Sequence, residues 1–326
     1  MTIRIYKRCE LCVHFSLCPL CSGCFLYHKA LKVYQKEHKV KNWYKLADSH
    51  LIKFKKMKQL LFLFFLLQLT CISYAQTSSD TVAVKENSVA SDDPSQFFTR
   101  VELFNELQHY NNNKDFYVNQ TTLRTIVKLG KRFTTRLDVP FVYNSFSSVS
   151  GYRHSGIGDI SFRLLGYKII DNPKSAITAS VEVSLNTAQS PLLGTGKNLL
   201  IPVVSYTHVI PKQKMLVALV LQQVNAVGGD KTRSNVSFSK IQAIALKTWS
   251  KRTWSYLAPE WYVDYVHGGL SMNLKGRFVY APAPRINLWA TAGAGIFGDF
   301  IGRYQWSTEI GSRYFFLRKM NANKRK

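Results

Sequence analysis

The amino-acid sequence predicts an all-β protein: a transmembrane up-and-down antiparallel β-barrel of about 12 strands, preceded by a signal peptide. Three observations carry the prediction. An export signal stands ahead of residue 76, all 6 cysteines precede that residue, and the remainder alternates apolar with polar residues and is rich in Tyr, Phe and Trp. Exported, cysteine-free, aromatic and alternating is a combination that transmembrane barrels share.

The export signal comes first. Lys53, Lys55, Lys56 and Lys58 give a basic start, Leu60–Leu67 an unbroken apolar core, and Ser73-Tyr74-Ala75 a small-residue end. This order describes a secretory signal peptide over 57–75, cleaved between Ala75 and Gln76. A spanning helix needs about 20 apolar residues, and here Gln68 and Thr70 interrupt the run. Cys71 admits a lipoprotein signal, but Gln68-Leu69-Thr70 is a poor lead-in to one. An export signal belongs at a chain start, so Met57 is the natural first residue and 1–56 an upstream extension outside the functional protein. That extension holds Cys9, Cys12, Cys18, Cys21 and Cys24. Their spacing lacks the longer loop and the following His of a zinc site, so no metal is expected.

The exported chain, Gln76–Lys326, has 251 residues, enough for one large all-β domain. It carries 31 Lys/Arg against 16 Asp/Glu, a net of +15. Basic charge on an exported chain gives no ground for a nucleic-acid partner. The longest apolar run after the leader is Met215–Leu221, which excludes a helical membrane protein.

Residues 76–95 are polar and close on Asp92-Asp93-Pro94, so they read as a flexible periplasmic lead-in. The barrel is expected over 96–317, with a basic tail at 318–326. Side chains on a strand flip at each residue. In Ala176–Asn186, Ile177, Ala179, Val181, Val183 and Leu185 therefore share one face, opposite Thr178, Ser180, Glu182 and Ser184. Thr134–Ser145 and Leu270–Tyr280 repeat the pattern. Near the end, Tyr304, Trp306, Ile310 and Tyr314 oppose Gln305, Ser307, Glu309 and Arg313. Met215–Ala226 and Val236–Trp249 are ambiguous in phase. Strands are centred near Val101, Leu123, Val139, Phe162, Val181, Val203, Leu219, Ala243, Trp261, Leu274, Ala290 and Ile310.

An even strand number brings both ends to the periplasmic side. The periplasmic turns are then Gly130–Arg132, Asp171–Lys174, Pro211–Lys214, Ser250–Arg252 and Ala281–Arg285, all tight and rich in turn formers or charge. Longer outer loops fall at Ser147–Asp159 and Gln189–Asn198. These turns and the tail hold 13 of the 31 basic residues against one acid, Asp171. Phe133, Tyr167, Trp249, Trp254, Tyr280 and Phe315–Phe316 lie just inside that rim, as an interfacial girdle beside anionic lipid would.

If the apolar faces meet lipid, the polar faces line the lumen. The inward candidates are Arg100, Glu102, Glu106, Arg124, Arg136, Asp138, Arg163, Glu182, Glu260, Asp264, Lys275, Arg277, Glu309 and Arg313. Charges of both signs serve either a ladder of ion pairs that seals the lumen or the coat of a water-filled passage. No catalytic constellation is expected, because His109, His154, His208 and His267 sit in no nucleophile elbow or metal spacing. Gly156-Ile157-Gly158-Asp159 is no phosphate loop, since alternation resumes at once. It reads as a bend into a strand, with Asp159 bonding the turn.

From Thr134 to Ile210 the chain resembles the outer-membrane family named for the meta-pathway of phenol degradation. The resemblance rests on Arg136-Leu137-Asp138-Val139-Pro140, Ser155-Gly156-Ile157-Gly158-Asp159, the strand end Ser184–Ala188 and Gly194-Thr195-Gly196. The family often has Pro-Thr-Gly where this chain reads Asn186-Thr187-Ala188. The resemblance implies an exported outer-membrane barrel that carries hydrophobic or aromatic compounds.

Together these observations predict a passive channel or transporter for small solutes in the outer membrane of a Gram-negative bacterium, without a cofactor. Outer-membrane lipid is the expected partner, with barrel-assembly machinery acting during insertion. Net positive charge would mildly favour anions. The rivals are a sealed structural or adhesive barrel, a lipid-modifying barrel enzyme, and a soluble sandwich whose apolar faces pack on each other.

Overall fold

The computed structural model describes residues 92–111, 115–146, 153–190, 192–298 and 304–316. The extension 1–56, the leader, its cleavage point at Ala75–Gln76 and the tail 318–326 lie outside them. The strands are β1 (Arg100–Asn111), β2 (Asp115–Leu129), β3 (Phe133–Phe146), β4 (Arg153–Ile157) and β5 (Ser161–Asp171). Then follow β6 (Ser175–Ser184), β7 (Lys197–Ile210), β8 (Met215–Gly229) and β9 (Ser237–Thr248). The last four are β10 (Thr253–Asp264), β11 (Leu270–Ala283), β12 (Ile286–Phe297) and β13 (Trp306–Phe315).

Sequence neighbours pair antiparallel except β4 and β5, which both pair with β3, and β1 also pairs with β13, so the sheet closes on itself. Thirteen strands make twelve spans, because β4 and β5 share one position in the wall. β4 lies along the outer half of β3, from Phe141↔Ile157 to Ser145↔Arg153, while β5 lies along its inner half, from Phe133↔Tyr167 to Asp138↔Ser161. The break between them is Gly158-Asp159-Ile160. Every expected strand centre falls within a strand.

The tight turns gather at one rim, with the start of β1 and the end of β13. Gly130 takes φ +68 between β2 and β3, a conformation that costs glycine little. Lys214 takes φ +50 after the 3-10 turn Pro211–Gln213, where Pro211 fixes the entry.

Alternation sorts the side chains as closure demands. Leu103, Leu123, Phe141, Val181, Leu219, Phe278 and Ile310 point outward and are exposed, forming the apolar band a bilayer requires. Glu102, Thr122, Asp138, Glu182, Glu260, Asn273 and Arg313 alternate with them and are buried inside. The apolar faces do not pack on one another across two sheets, so the sandwich is excluded.

The interior is not polar throughout, which corrects one expectation. Leu216, Ala218 and Val220 of β8, Ile244 and Leu246 of β9, and Trp254, Ala258, Val279 and Ala281 of β10 and β11 form a buried apolar cluster. This cluster explains the ambiguous phase of β8 and β9. At that level both faces are apolar, one toward lipid and one toward a packed core. Two girdle aromatics, Trp254 and Phe315, also turn inward and are buried, whereas Phe133, Trp249, Tyr280 and Phe316 are exposed on the outside. Tyr304 precedes β13 and does not follow its alternation; it too is buried.

Candidate functional site

The lumen holds a belt of ion pairs built strand by strand. Glu102 on β1 accepts from Arg100 Nε and from Arg313 Nε on β13, each at 2.7 Å. Arg124 on β2 reaches Glu102 at 3.7 Å and Asp138 on β3 at 2.8 Å. Arg136 spans Asp138 at 3.2 Å and Glu182 on β6 at 2.6 Å, and Arg163 on β5 meets Glu182 at 2.7 Å. These contacts follow from register: Glu102↔Arg124, Arg124↔Asp138 and Arg163↔Glu182 are directly opposed residues on paired strands. Opposed unlike charges on one face attract at short range, and burial makes an unpaired charge costly.

A second group sits on the opposite wall. Glu260 on β10 takes Lys240 of β9 at 2.9 Å and Lys275 of β11 at 3.9 Å, and also accepts from Gln242 and Tyr262. Lys275 reaches across to Glu106 of β1 at 3.2 Å. Arg277 pairs with Glu309 of β13 at 2.6 Å. Trp289 gives its Nε1–H to Glu309 and lies under both Arg277 and Arg313, at 5.2 and 5.1 Å. Cations stacked on a ring in a confined lumen are held without losing their carboxylates.

Of the lumen-lining candidates, Arg100, Glu102, Glu106, Arg124, Arg136, Asp138, Arg163, Glu182, Glu260, Lys275, Arg277, Glu309 and Arg313 all join this network. Asp264 does not. It ends β10 and accepts from Val266 N, His267 N and His267 Nδ1, closing the outer turn that follows.

Sequence reasoning missed the segment ahead of β1. Asp92, Asp93 and Pro94, assigned to the lead-in, lie in the lumen instead. Asp92 meets Arg313 at 3.2 Å and Arg277 at 3.6 Å, and accepts from Trp254 Nε1 at 2.6 Å. Asp93 accepts from the Ser95 amide and hydroxyl, and Phe97 is buried beneath Lys168. This hook stands between two cavities. One of 680 Å³ runs from Asp92, Glu102 and Trp289 to Leu193-Gly194-Thr195. The other, of 150 Å³, lies between Pro94–Phe97 and the wall at Arg163, Thr178 and Ser205.

The lining of the larger cavity holds eight acidic residues against six basic ones. The expected anion preference therefore has no support there, because the basic excess sits on the rim.

At the outer end, Asp159 closes a clasp. Its Oδ1 accepts from the amides of Thr187 and Ala188, each at 3.2 Å, and its Oδ2 from the Thr195 amide at 2.6 Å and hydroxyl at 2.9 Å. Thr187 Oγ1 in turn donates to Gly158 O at 3.1 Å and accepts from Ile160 N at 2.8 Å. Asp159 thus bonds a different loop from its own, not the local turn expected of it. Gly194 packs on the Asp159 carboxyl, where a Cβ would come within 2.5 Å of Oδ1. Arg233, from the next outer loop, donates to Gly194 O at 3.0 Å. In that loop Asp230 accepts from the Thr232 hydroxyl and amide, which hold its carboxyl below the ordinary range.

The histidines lie on separate elements. His208 bonds Ser175, His267 bonds Asp264, and His109 stacks on Tyr117 and Trp306.

No protein-family model and no curated protein matches the chain. Among solved structures, an outer membrane channel from Pseudomonas putida F1 superposes with a TM-score of 0.57 at 13% identity, over 73% of this chain and 100% of that one. The NanC porin gives 0.47 at 10% identity, over 67% and 100%. The KdgM porin gives 0.46 at 11%, over 67% and 99%. The first of these likenesses places the fold among outer-membrane β-barrels. The family named for phenol degradation finds no counterpart beyond that coarser class.

Proposed function

We propose that the protein is a passive channel or transporter for small solutes in the outer membrane, held closed at rest by the Asp92–Phe97 hook and inserted there by barrel-assembly machinery. The observation that carries this proposal is the 680 Å³ cavity walled by charged side chains, bounded by the hook on one side and by Leu193-Gly194-Thr195 on the other. A lumen lined by both signs of charge offers a polar solute replacement for its hydration shell. It offers an apolar one less, since the contacts with Phe104, Ile244 and Trp289 are set against the cost of desolvating the charged wall. Small polar or zwitterionic solutes are therefore favoured over the hydrophobic or aromatic cargo that the family resemblance implies.

The hook bonds the wall through the Asp92 carboxylate and also buries Phe97, so removing its carboxylates loosens it. Single-channel recording of the full protein in planar bilayers tests this. The intact barrel is expected to conduct weakly, and the double variant Asp92→Ala, Asp93→Ala to conduct several-fold more. Silence in both would favour the second reading, a sealed structural barrel. The mutual pairing of the lumen charges is the observation on its side.

A further inference from the structure

The inner rim is not uniform in charge. At the end of β5 that leads into the β5–β6 turn, Lys168 pairs with Asp171 at 3.1 Å, so one acid there offsets one base. The two turns β7–β8 and β9–β10 are different. They lie side by side, because Thr248 N donates to Lys214 O at 3.0 Å and Met215 pairs with Lys247. Together they bring Lys212, Lys214, Lys247, Lys251 and Arg252 to one stretch of rim. Between Met215 and Ser250 the sole acid is Asp230, in the loop at the opposite rim. Among the described residues no ion pair uses Lys212, Lys214, Lys247 or Arg252.

Two features point this patch at a membrane rather than at water. Lys247 belongs to the lipid-facing side of β9, with Ala243 and Ala245. Its Nζ extends to the rim and donates to Gln213 O at 2.5 Å. A lysine that keeps its stem along apolar wall and its charge at the headgroups is snorkelling. Beside it Trp249 is 61% exposed, and its Nε1–H is tied to Ser255 Oγ at 2.8 Å. An amphipathic ring held at the edge of the apolar band marks the interface depth.

We infer that this rim patch is a docking site for an anionic phospholipid of the periplasmic leaflet. The phosphate would sit among Lys212, Lys214 and Lys247, with the glycerol and upper acyl chain against Trp249. Charge complementarity selects the headgroup, and each cation at an anionic surface strengthens such binding about fivefold. The site does not depend on whether the lumen conducts.

The test is lipid retention by the full protein, extracted from bilayers of equal phosphatidylethanolamine and phosphatidylglycerol and read by native mass spectrometry. Phosphatidylglycerol is expected to be retained at least about fivefold over phosphatidylethanolamine. The preference is expected to vanish in K212Q/K214Q/K247Q and to survive in K231Q on the opposite rim. Lys212→Gln alone, at an exposed turn position, gives a partial loss on the same scale if the triple variant does not fold. Equal retention of the two lipids by the native protein would overturn the inference. So would a preference untouched by the rim substitutions, or lipid A retained in place of phosphatidylglycerol.

Discussion

Glu102 shows how a single residue decides the character of the lumen. It is 2% exposed and accepts from Arg100 and Arg313 while facing Arg124. Removing one member of a buried ion pair strands the other, at about 3–5 kcal/mol, whereas an exposed pair contributes about 0–1 kcal/mol. Glu102→Ala is therefore expected to lower the unfolding free energy of the barrel in lipid vesicles by about 3 kcal/mol. A loss below about 1 kcal/mol would mean that lumen water screens the pair. The charged wall was legible because a carboxylate on the polar face of an alternating strand has few places to go. Asp92 was not legible. A plug is sought as apolar bulk, and this one is held by two arginines and an indole N–H.

The clasp at the outer end belongs to loops rather than to single residues. Gly158-Asp159 is far in sequence from Asn186-Thr187-Ala188 and Gly194-Thr195-Gly196, which share the β6–β7 connection, and all meet in one hydrogen-bonded cluster around one carboxylate. All three were visible as motifs, but their meeting was not, because long-range loop contacts leave no periodicity to follow. Asp159→Asn keeps the shape while turning one acceptor into a donor that faces other donors. Each charge-assisted bond contributes about 1.5 kcal/mol or more, so the Thr195 amide is expected to exchange at least about tenfold faster. Unchanged protection of Thr187, Ala188 and Thr195 by hydrogen exchange would show that the loop is held elsewhere. Strands β8 and β9 teach the converse. Their existence was plain, but their phase was not, because Leu216, Val220, Ile244 and Leu246 fill the lumen where polar residues were expected.

For the whole molecule the decisive property is closure. A sheet whose first and last strands pair has no edge at which to fray, so it holds or fails as a unit. The seam runs through Gly311, which pairs with Phe104 on one side and Trp289 on the other. All three point inward, and only the absence of a side chain lets the two rings, 6.2 Å apart, sit over this position. A Cβ there would meet the Trp289 ring and come within 2.7 Å of Phe104 Cβ. An open sheet could relieve that by letting a terminal strand drift, but a closed one cannot. Gly276 offers the contrast, since a Cβ at that position meets nothing nearer than Leu257 Cδ1 at 3.9 Å. The intact protein is expected to migrate faster unboiled than boiled on a denaturing gel. Gly276→Ala should keep that shift and its transition temperature. Gly311→Val should lose the shift or melt well below the native protein, as core overpacking costs about 1–3 kcal/mol where backbone can yield and more where it cannot. A Gly311→Val barrel with native heat behaviour would mean that the seam is looser than its register implies. The twelve spans would then owe their closure to the ion belt, which crosses the same seam at Glu102 and Arg313.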